Sequence, residues 1–297
     1  MCEGMNRTAP AWIAFAPASF VLLWGTGFIV ARLSAGHVEP LTFLCLRFPL
    51  AGLAYGSIAL LQRAPWPNPR SALHAAMAGA LLHAGYLGPV YWVVAHGMPA
   101  GVSALIIGLQ PLMTAILAAH FIGERITLRH WLGLFVGIAG IGLVVWPKLD
   151  IASIDGITPI TIGINVVGAL SAAVGTVYQK RYATTLNMAS AGFWQYAGAF
   201  AVVLTGALAF ENFGFDGSAS AWIALGWAVI VLSLGAIALL MLLIRHGDVA
   251  RVSSMIFLVP AVATLTGYML FNETLLPIQI FGMAVCAAAV FIVTRKG

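Results

Sequence analysis

Residues 219–244 read ASAWIALGWAVIVLSLGAIALLMLLI and contain no Asp, Glu, Lys, Arg or His. A helix rises 1.5 Å per residue, so about 20 mostly apolar residues cross the hydrocarbon core of a bilayer. This uncharged run of 26 residues is therefore long enough to cross a membrane as a single helix. It indicates that lipid is the solvent for at least part of the chain.

Nine further apolar runs follow the same pattern, and the segments that connect them are short. The first run continues to Val30, which is too long for the apolar core of a signal peptide, so we interpret it as a membrane span. We predict an all-α integral membrane protein that forms one membrane domain over residues 1–297. The ten predicted transmembrane helices are at 10–31, 41–62, 72–95, 101–121, 128–147, 158–180, 188–209, 219–244, 250–271 and 276–294.

The composition of the whole chain agrees with this interpretation. Apolar residues make up 61% of the chain and charged residues 8%, with a mean hydropathy of +0.99. A soluble domain carries about 25% charged residues. The net charge of +5 comes from residues in short loops, without the basic patches and interleaved aromatics that nucleic acids require. The three cysteines fit no metal-binding motif. We therefore expect membrane lipid around the protein, and no nucleic-acid partner, metal or cofactor.

The loop charges predict an orientation. Cytoplasmic loops of membrane proteins carry an excess of Lys and Arg. If the N-terminus is cytoplasmic, eleven Lys and Arg residues lie on the cytoplasmic side and two on the opposite side, with Arg47 inside a span. We expect both termini in the cytoplasm. The outer pair is Arg32 and Lys148, and the inner set is Arg7, Arg63, Arg70, Arg125, Arg129, Lys180, Arg181, Arg245, Arg251, Arg295 and Lys296.

An internal repeat divides the chain into repeat one, 1–150, and repeat two, 151–297. Each repeat carries five spans, and because five is odd, the second repeat enters the membrane from the opposite face. Inverted repeats of this kind are common in secondary transporters. The matching landmarks, 149 or 150 residues apart, are Ala95-His96-Gly97 with Arg245-His246-Gly247, Gly101-Val102-Ser103 with Arg251-Val252-Ser253, Pro111 with Pro260, and Gly123-Glu124-Arg125 with Asn272-Glu273-Thr274.

Three motifs in the chain, one of them a repeat landmark, resemble a known family. Trp24-Gly25-Thr26-Gly27-Phe28, Pro40 with Arg47, and Gly123-Glu124-Arg125-Ile126-Thr127 followed by Trp131 resemble the drug/metabolite transporter superfamily, in its EamA-type ten-span branch. The resemblance implies export of amino acids, aromatic compounds or other small metabolites across the bacterial inner membrane. The aromatic amino-acid exporters are similar in length and organisation.

Arg47 is the only Lys or Arg inside a predicted span. A charge at this depth is costly, which makes it a candidate for binding a substrate. Its guanidinium group matches the geometry of a carboxylate. The alternative is a structural arginine that extends to the interface or pairs two helices.

Three further side chains are candidates for the wall of a cavity. His83 lies near the middle of span three, and Tyr86 follows one helical turn later on the same side. Together they would hydrogen-bond and stack on a small polar or aromatic substrate. Trp24 is deep enough in span one to join them. The alternative for His83 is a buried histidine whose hydrogen bonds are made by a neighbouring helix. Other aromatic or polar candidates are Tyr91, Trp92, Tyr178, Trp194, Gln195 and Tyr196.

Prolines interrupt two spans at repeat-related places. Gln110-Pro111 lies in span four and Pro260 in span nine. Proline removes a backbone donor and frees a carbonyl in the preceding turn. Broken helices at corresponding positions in two halves indicate a transporter site, which adds Gln110 as a ligand and the prolines as hinges. A packing kink without function is the alternative.

These patterns favour a secondary transporter that exports amino acids, aromatic ones among them, or related small metabolites by alternating access, and not an enzyme. The chain has no P-loop for ATP. An integral membrane enzyme acting on lipid-linked substrates and a purely structural membrane protein are the alternatives. All nine acidic residues fall in predicted loops, span ends or tails, so we expect largely facilitated transport, with proton exchange through His83 as the competing mechanism.

Overall fold

The computed structural model describes residues 15–34, 36–98, 100–148, 156–247, 249–271 and 275–294. Within these ranges the regular structure is helical, apart from one isolated bridge between Val38 and Phe215. Nine of the described helices are long and apolar enough to cross a membrane, and a shorter apolar helix, Ala16–Gly25, lies in the first predicted span. The predicted all-helical fold of two inverted five-helix repeats is confirmed.

We number the crossing helices as spans one to ten in chain order. Their bounds agree with the predicted runs to within a few residues, and spans one and four are each divided into two helices. The spans are Ala16–Gly25 with Gly27–Ser34, Pro40–Leu61, Pro69–Ala95, Ala100–Ile107 with Gln110–Ile122, Leu128–Val145, Pro159–Tyr182, Met188–Phe210, Ala219–His246, Val249–Phe271 and Pro277–Thr294.

Local sequence sets several of the helix starts. Spans two, three, six and ten begin with proline, whose missing N–H is not needed in the first helical turn. The Asn68 side chain accepts a hydrogen bond from the Ser71 amide, 2.9 Å away, at the start of span three. Asn187 and Ser218 cap spans seven and eight in the same way.

The two ends of the bundle are held by different contacts, and we call them the upper face and the lower face. The upper face carries segments 36–39, 96–98 and 211–218, and the Val38–Phe215 bridge joins two of them. The lower face carries segments 62–68, 123–127 and 183–187. At the lower face the Ser190 hydroxyl donates to the Pro65 carbonyl, 2.9 Å away.

Repeat-related helices pack against each other in two places. Spans five and ten meet through glycines: a Cβ on Gly133 would come within 2.3 Å of Val293, and a Cβ on Gly282 within 2.8 Å of the Val144 nitrogen. Small residues let helix backbones approach closely in lipid, where van der Waals contact replaces the hydrophobic effect. Spans two and seven pack similarly, with Gly52 against Tyr196.

Two spans contain π-helical turns at repeat-related places, which the sequence did not predict. Ala80–Ala84 is a π-helical segment in span three, and Ala228–Ala236 is its counterpart in span eight. A π-turn leaves backbone carbonyls without their usual helical partner, and such turns are frequent at functional sites. The Ser233 carbonyl in span eight accepts hydrogen bonds from the hydroxyls of Tyr55 at 3.1 Å and Tyr196 at 3.4 Å.

Candidate functional site

A cavity of about 480 Å³ extends from the upper face to the middle of the bundle. It opens to the upper face, because Gly36, Val94 and Ala95 at that end are exposed. Spans one, two, three, four, five, eight and nine all contribute to its wall. The wall is mostly apolar and aromatic, with a few polar side chains, as is usual for sites that bind small molecules.

Arg47 places a buried positive charge on this wall. Its side chain is 4% exposed, and its Nε donates to the Ser233 hydroxyl at 3.0 Å. The Tyr91 hydroxyl lies close to the same guanidinium group. Among the described residues no carboxylate forms an ion pair with it. A guanidinium group has five N–H donors, so the bond to Ser233 engages only part of it. Arg47 therefore pairs two helices and also lines the cavity.

His83 lies on the cavity wall within the π-helical turn of span three. Its ring stacks on the Tyr196 ring, with centroids 4.7 Å apart and an angle of 6° between the planes. Neither His83 Nε2 nor the neighbouring Gln195 Oε1 has a hydrogen-bond partner among the described residues. Gln195 in turn donates to Gln179 at 3.3 Å. The π-turn therefore places a buried ring nitrogen beside the cavity and close to the Gln195 side chain.

The other predicted ligands fall in two groups. Trp24 and Tyr86 line the cavity and lie close to each other. Gln110 does not line it. The structure places Gln110 on a separate void of about 20 Å³ below the cavity, to which Trp24 and Tyr86 also contribute. Sequence reasoning did not single out Phe43 or Ser103 as cavity residues, and it did not connect Ser233 with Arg47.

The two predicted hinge prolines follow irregular backbone. In span four the helix is interrupted at residues 108–109, directly before Gln110 and Pro111. In span nine the segment Met255–Leu258 is a 3-10 helix, and Pro260 follows it. Pro260 lines the cavity, whereas Pro111 is buried away from it.

Charged side chains close the lower face around the turn between spans eight and nine. The Glu124 carboxylate accepts hydrogen bonds from the amides of Val249 at 2.7 Å and Ala250 at 3.2 Å, where span nine begins. The Lys180 ammonium donates to the carbonyls of Ile244 at 2.8 Å and Gly247 at 2.9 Å, where span eight ends. An anion at a helix N-terminus and a cation at a C-terminus both stabilise the helix dipole. We call these contacts the lower clasp.

The upper face carries a similar set of contacts between the starts and ends of spans two and seven. The Glu211 carboxylate accepts from the amides of Leu41 at 2.7 Å and Thr42 at 2.6 Å. Glu39 accepts from the Gly214 amide at 2.7 Å. Outside the membrane, the hydrogen bond from His37 and further bonds from Ser218 hold the pKa of Asp216 at about 2. These contacts fix loops that border the cavity entrance.

The described acidic side chains all lie at the faces. Glu39, Glu211 and Asp216 are at the upper face and Glu124 is at the lower face. Glu3, Asp150, Asp155, Asp248 and Glu273 lie outside the described residues, as does the repeat landmark Asn272-Glu273-Thr274. The described residues contain no group of three His, Cys, Asp or Glu side chains that could hold a metal ion.

Comparison with known proteins identifies the family. The model of the EamA-like transporter family matches residues 11–146 and, a second time, residues 160–295. The chain belongs to the EamA-like transporter family. It is a multi-pass membrane transporter of this family, and the resemblance seen in the sequence is confirmed.

Relatives of this EamA-like chain carry transporter names. The "Uncharacterized inner membrane transporter YedA" of Escherichia coli is 29% identical over 273 residues, covering 92% of this chain and 87% of the relative. A "Probable amino-acid metabolite efflux pump" of Salmonella typhimurium is 25% identical, covering 92% and 91%. One solved crystal structure aligns with a TM-score of 0.76 at 20% identity, covering 96% of this chain and 98% of that one. That likeness shows the same fold.

Proposed function

We propose that the protein is a secondary transporter that exports amino acids, aromatic ones among them, or related small metabolites. It does so across the bacterial inner membrane by alternating access. The observation that carries the proposal is the position of Arg47, a buried guanidinium group without a carboxylate partner among the described residues, on the wall of an open cavity. A buried charge of this kind calls for a partner, and a substrate carboxylate has the matching charge and geometry.

The rest of the cavity suits the other end of such a substrate. Trp24, Phe43, Tyr86 and Tyr91 supply aromatic surface on the wall of the same cavity as Arg47. Aromatic rings pack well against apolar or aromatic side chains. The volume of about 480 Å³ is in the range of sites that enclose small ligands. An amino acid with a large side chain combines both requirements.

The distribution of charge supports the orientation. The lower face is the basic face of the described structure. Its loops and span ends hold eight Lys and Arg residues, all from the set predicted for the cytoplasm: Arg63, Arg70, Arg125, Arg129, Lys180, Arg181, Arg245 and Arg251. We infer that the lower face is cytoplasmic and that both termini lie on that side. The cavity then opens to the periplasm, which is the release conformation of an exporter. The family match and the name of the efflux-pump relative favour transport over enzymatic action on lipid-linked substrates.

Counterflow in proteoliposomes tests the proposal. Vesicles loaded with unlabelled phenylalanine should transiently accumulate external labelled phenylalanine, because the carrier exchanges one for the other. Protein-free vesicles and vesicles with the Arg47→Met variant serve as controls, and both should accumulate much less label. A wild-type protein that shows no counterflow with any of the twenty amino acids would refute the proposed substrate class.

A further inference from the structure

A second void lies directly below the main cavity, on the side of the lower face. Its volume is about 20 Å³, which is room for roughly one water molecule. Four side chains line both spaces and separate them, and we call these the septum: Trp24, Leu82, Tyr86 and Ile256. Below the septum the void is lined by spans four, six, eight and nine as well as by span one.

The repeat explains why a void lies at this place. An inverted repeat relates the upper half of the path to the lower half, so each residue that lines the upper cavity has a counterpart below. The void is lined by such counterparts. Gln110, Leu240 and Ser253 lie 149 or 150 residues from Val259, Val90 and Ser103, which line the main cavity. The void therefore lies where the twofold rotation between the repeats would place a counterpart of the main cavity.

Two polar side chains face this void without hydrogen-bond partners among the described residues. The Gln110 side chain is 5% exposed and the Ser253 side chain 2% exposed. Thr176, also on the void, donates its hydroxyl to the Ala172 carbonyl at 2.7 Å. Burying an amide and a hydroxyl without partners is unfavourable, so such groups are retained where a water or a ligand bonds them.

We propose that Gln110 and Ser253 form a lower half-site that binds the substrate in the conformation open to the lower face. The inference rests on the proposed function and adds the residues that meet the substrate on the loading side. A neutral amide and a hydroxyl each donate and accept hydrogen bonds, so they suit the ammonium and carboxylate groups of a zwitterion. The septum is the barrier between this half-site and the main cavity.

Labelling of single cysteines tests the half-site without knowledge of the substrate. Ser253→Cys and its repeat counterpart Ser103→Cys are built in a background in which Cys2, Cys45 and Cys286 are replaced by alanine. A charged, membrane-impermeant methanethiosulfonate reagent should modify Ser103→Cys from the upper face only and Ser253→Cys from the lower face only. Thr176→Cys, on the same void, should behave like Ser253→Cys.

The two lower-side variants keep the test decisive if one of them folds poorly. A folded Ser253→Cys or Thr176→Cys protein that is modified only from the upper face, or from neither face, overturns the half-site. This result is distinct from a failure of the proposed function, in which the labelling pattern holds but no amino acid is carried.

The substrate contact has its own test. In counterflow with labelled phenylalanine, Gln110→Leu should raise the half-saturation concentration at the lower face at least tenfold. The value at the upper face, where Arg47 contacts the substrate, should stay within twofold of wild type. If Gln110→Leu and wild type have the same half-saturation concentration at the lower face, Gln110 does not touch the substrate.

Discussion

The Nε–H group of Arg47 donates a hydrogen bond to the Ser233 hydroxyl, 3.0 Å away, between spans two and eight. The residues 149 and 150 positions away along the repeat are Tyr196 and His83, and their rings stack with centroids 4.7 Å apart. The fold thus uses one pair of positions twice, first for a cation and a hydroxyl and then for two rings. The duplicated backbone is symmetric, whereas its chemistry is not, and this gives the cavity one charged side.

This asymmetry predicts a preference for carboxylates. We expect wild-type protein to bind phenylalanine in preference to phenethylamine, which has the same ring and no carboxylate. Arg47→Met should abolish that preference, because hydrogen bonds to a charged group contribute about 1.5–3 kcal/mol, or roughly 10- to 100-fold in affinity. The shift in melting temperature of the purified protein with each ligand measures the preference, because it does not depend on the low counterflow of the Met variant.

Arg47→Lys is the matched control, because it keeps the charge and loses the planar guanidinium geometry. It should retain an intermediate preference. If the Met variant is less thermostable but keeps the wild-type preference, Arg47 serves only to join spans two and eight.

The predicted orientation is open to a direct test with two equally exposed loop residues. Trp66 and Phe213 are each 44% exposed, at the lower and the upper face respectively. In the cysteine-free background, Phe213→Cys should react with an impermeant maleimide in intact cells. Trp66→Cys should react only after the membrane is permeabilised. Labelling of both positions in intact cells would contradict the orientation.

Glycine packing between spans predicts a difference between two alanine substitutions in one helix. A Cβ on Gly137 would come within 2.3 Å of the Phe257 ring, whereas a Cβ on Gly142 meets nothing within 4 Å. Gly137→Ala should lower the thermal stability in detergent, by about 1–3 kcal/mol of overpacking. Gly142→Ala should leave the melting temperature within a degree or two. Equal melting temperatures would show that span nine moves aside without cost.

The lower clasp predicts a shift between conformations. Glu124→Gln removes the charge that binds the start of span nine, and this should weaken closure of the lower face by about 1 kcal/mol. Such a change alters an equilibrium roughly fivefold. A cysteine in the upper cavity, Val90→Cys, should then be labelled more slowly from the upper face. Glu211→Gln, at the opposite face, should not slow it. A labelling rate unaffected by Glu124→Gln would contradict this role.

The positions of the acidic side chains predict how transport is driven. Because the described acidic side chains lie at the two faces, we expect substrate efflux from proteoliposomes without an imposed pH gradient and with little proton movement. His83→Gln should leave that efflux independent of pH gradients. Uphill transport that follows an imposed pH gradient and is lost in His83→Gln would establish proton exchange instead.

Much of the fold follows from the sequence because the number of crossings depends on quantities that can be counted. Span ten was predicted at 276–294 and is observed at Pro277–Thr294, since apolar length and its flanks decide where a helix leaves the membrane. The π-helical turns of spans three and eight were not predicted. A π-turn shifts the helical phase, and such a shift leaves no pattern in the sequence where nearly every residue is apolar.

The site was harder to predict for a related reason. A helix in lipid has no separate polar and apolar faces to reveal which side meets a neighbouring helix. The depth of a residue in the membrane is therefore easier to infer than the direction in which its side chain points. Trp24, His83 and Tyr86 were predicted to lie deep in their spans, and the structure places all three on the cavity wall. Gln110, at a similar depth, faces the smaller void below. The bond between Arg47 and Ser233 joins residues 186 positions apart, and no local pattern indicates it.

The contacts at the upper face also order events during synthesis. The amides of Leu41 and Thr42 at the start of span two are bonded by Glu211, which lies 170 and 169 residues later in the chain. Ribosomes add about 5–20 residues per second, so these amides wait roughly ten to thirty seconds for their partner. During that interval the amides at the start of span two lack the carboxylate that accepts their hydrogen bonds in the folded protein. The start of span two therefore reaches its folded set of hydrogen bonds only after the seventh crossing is made.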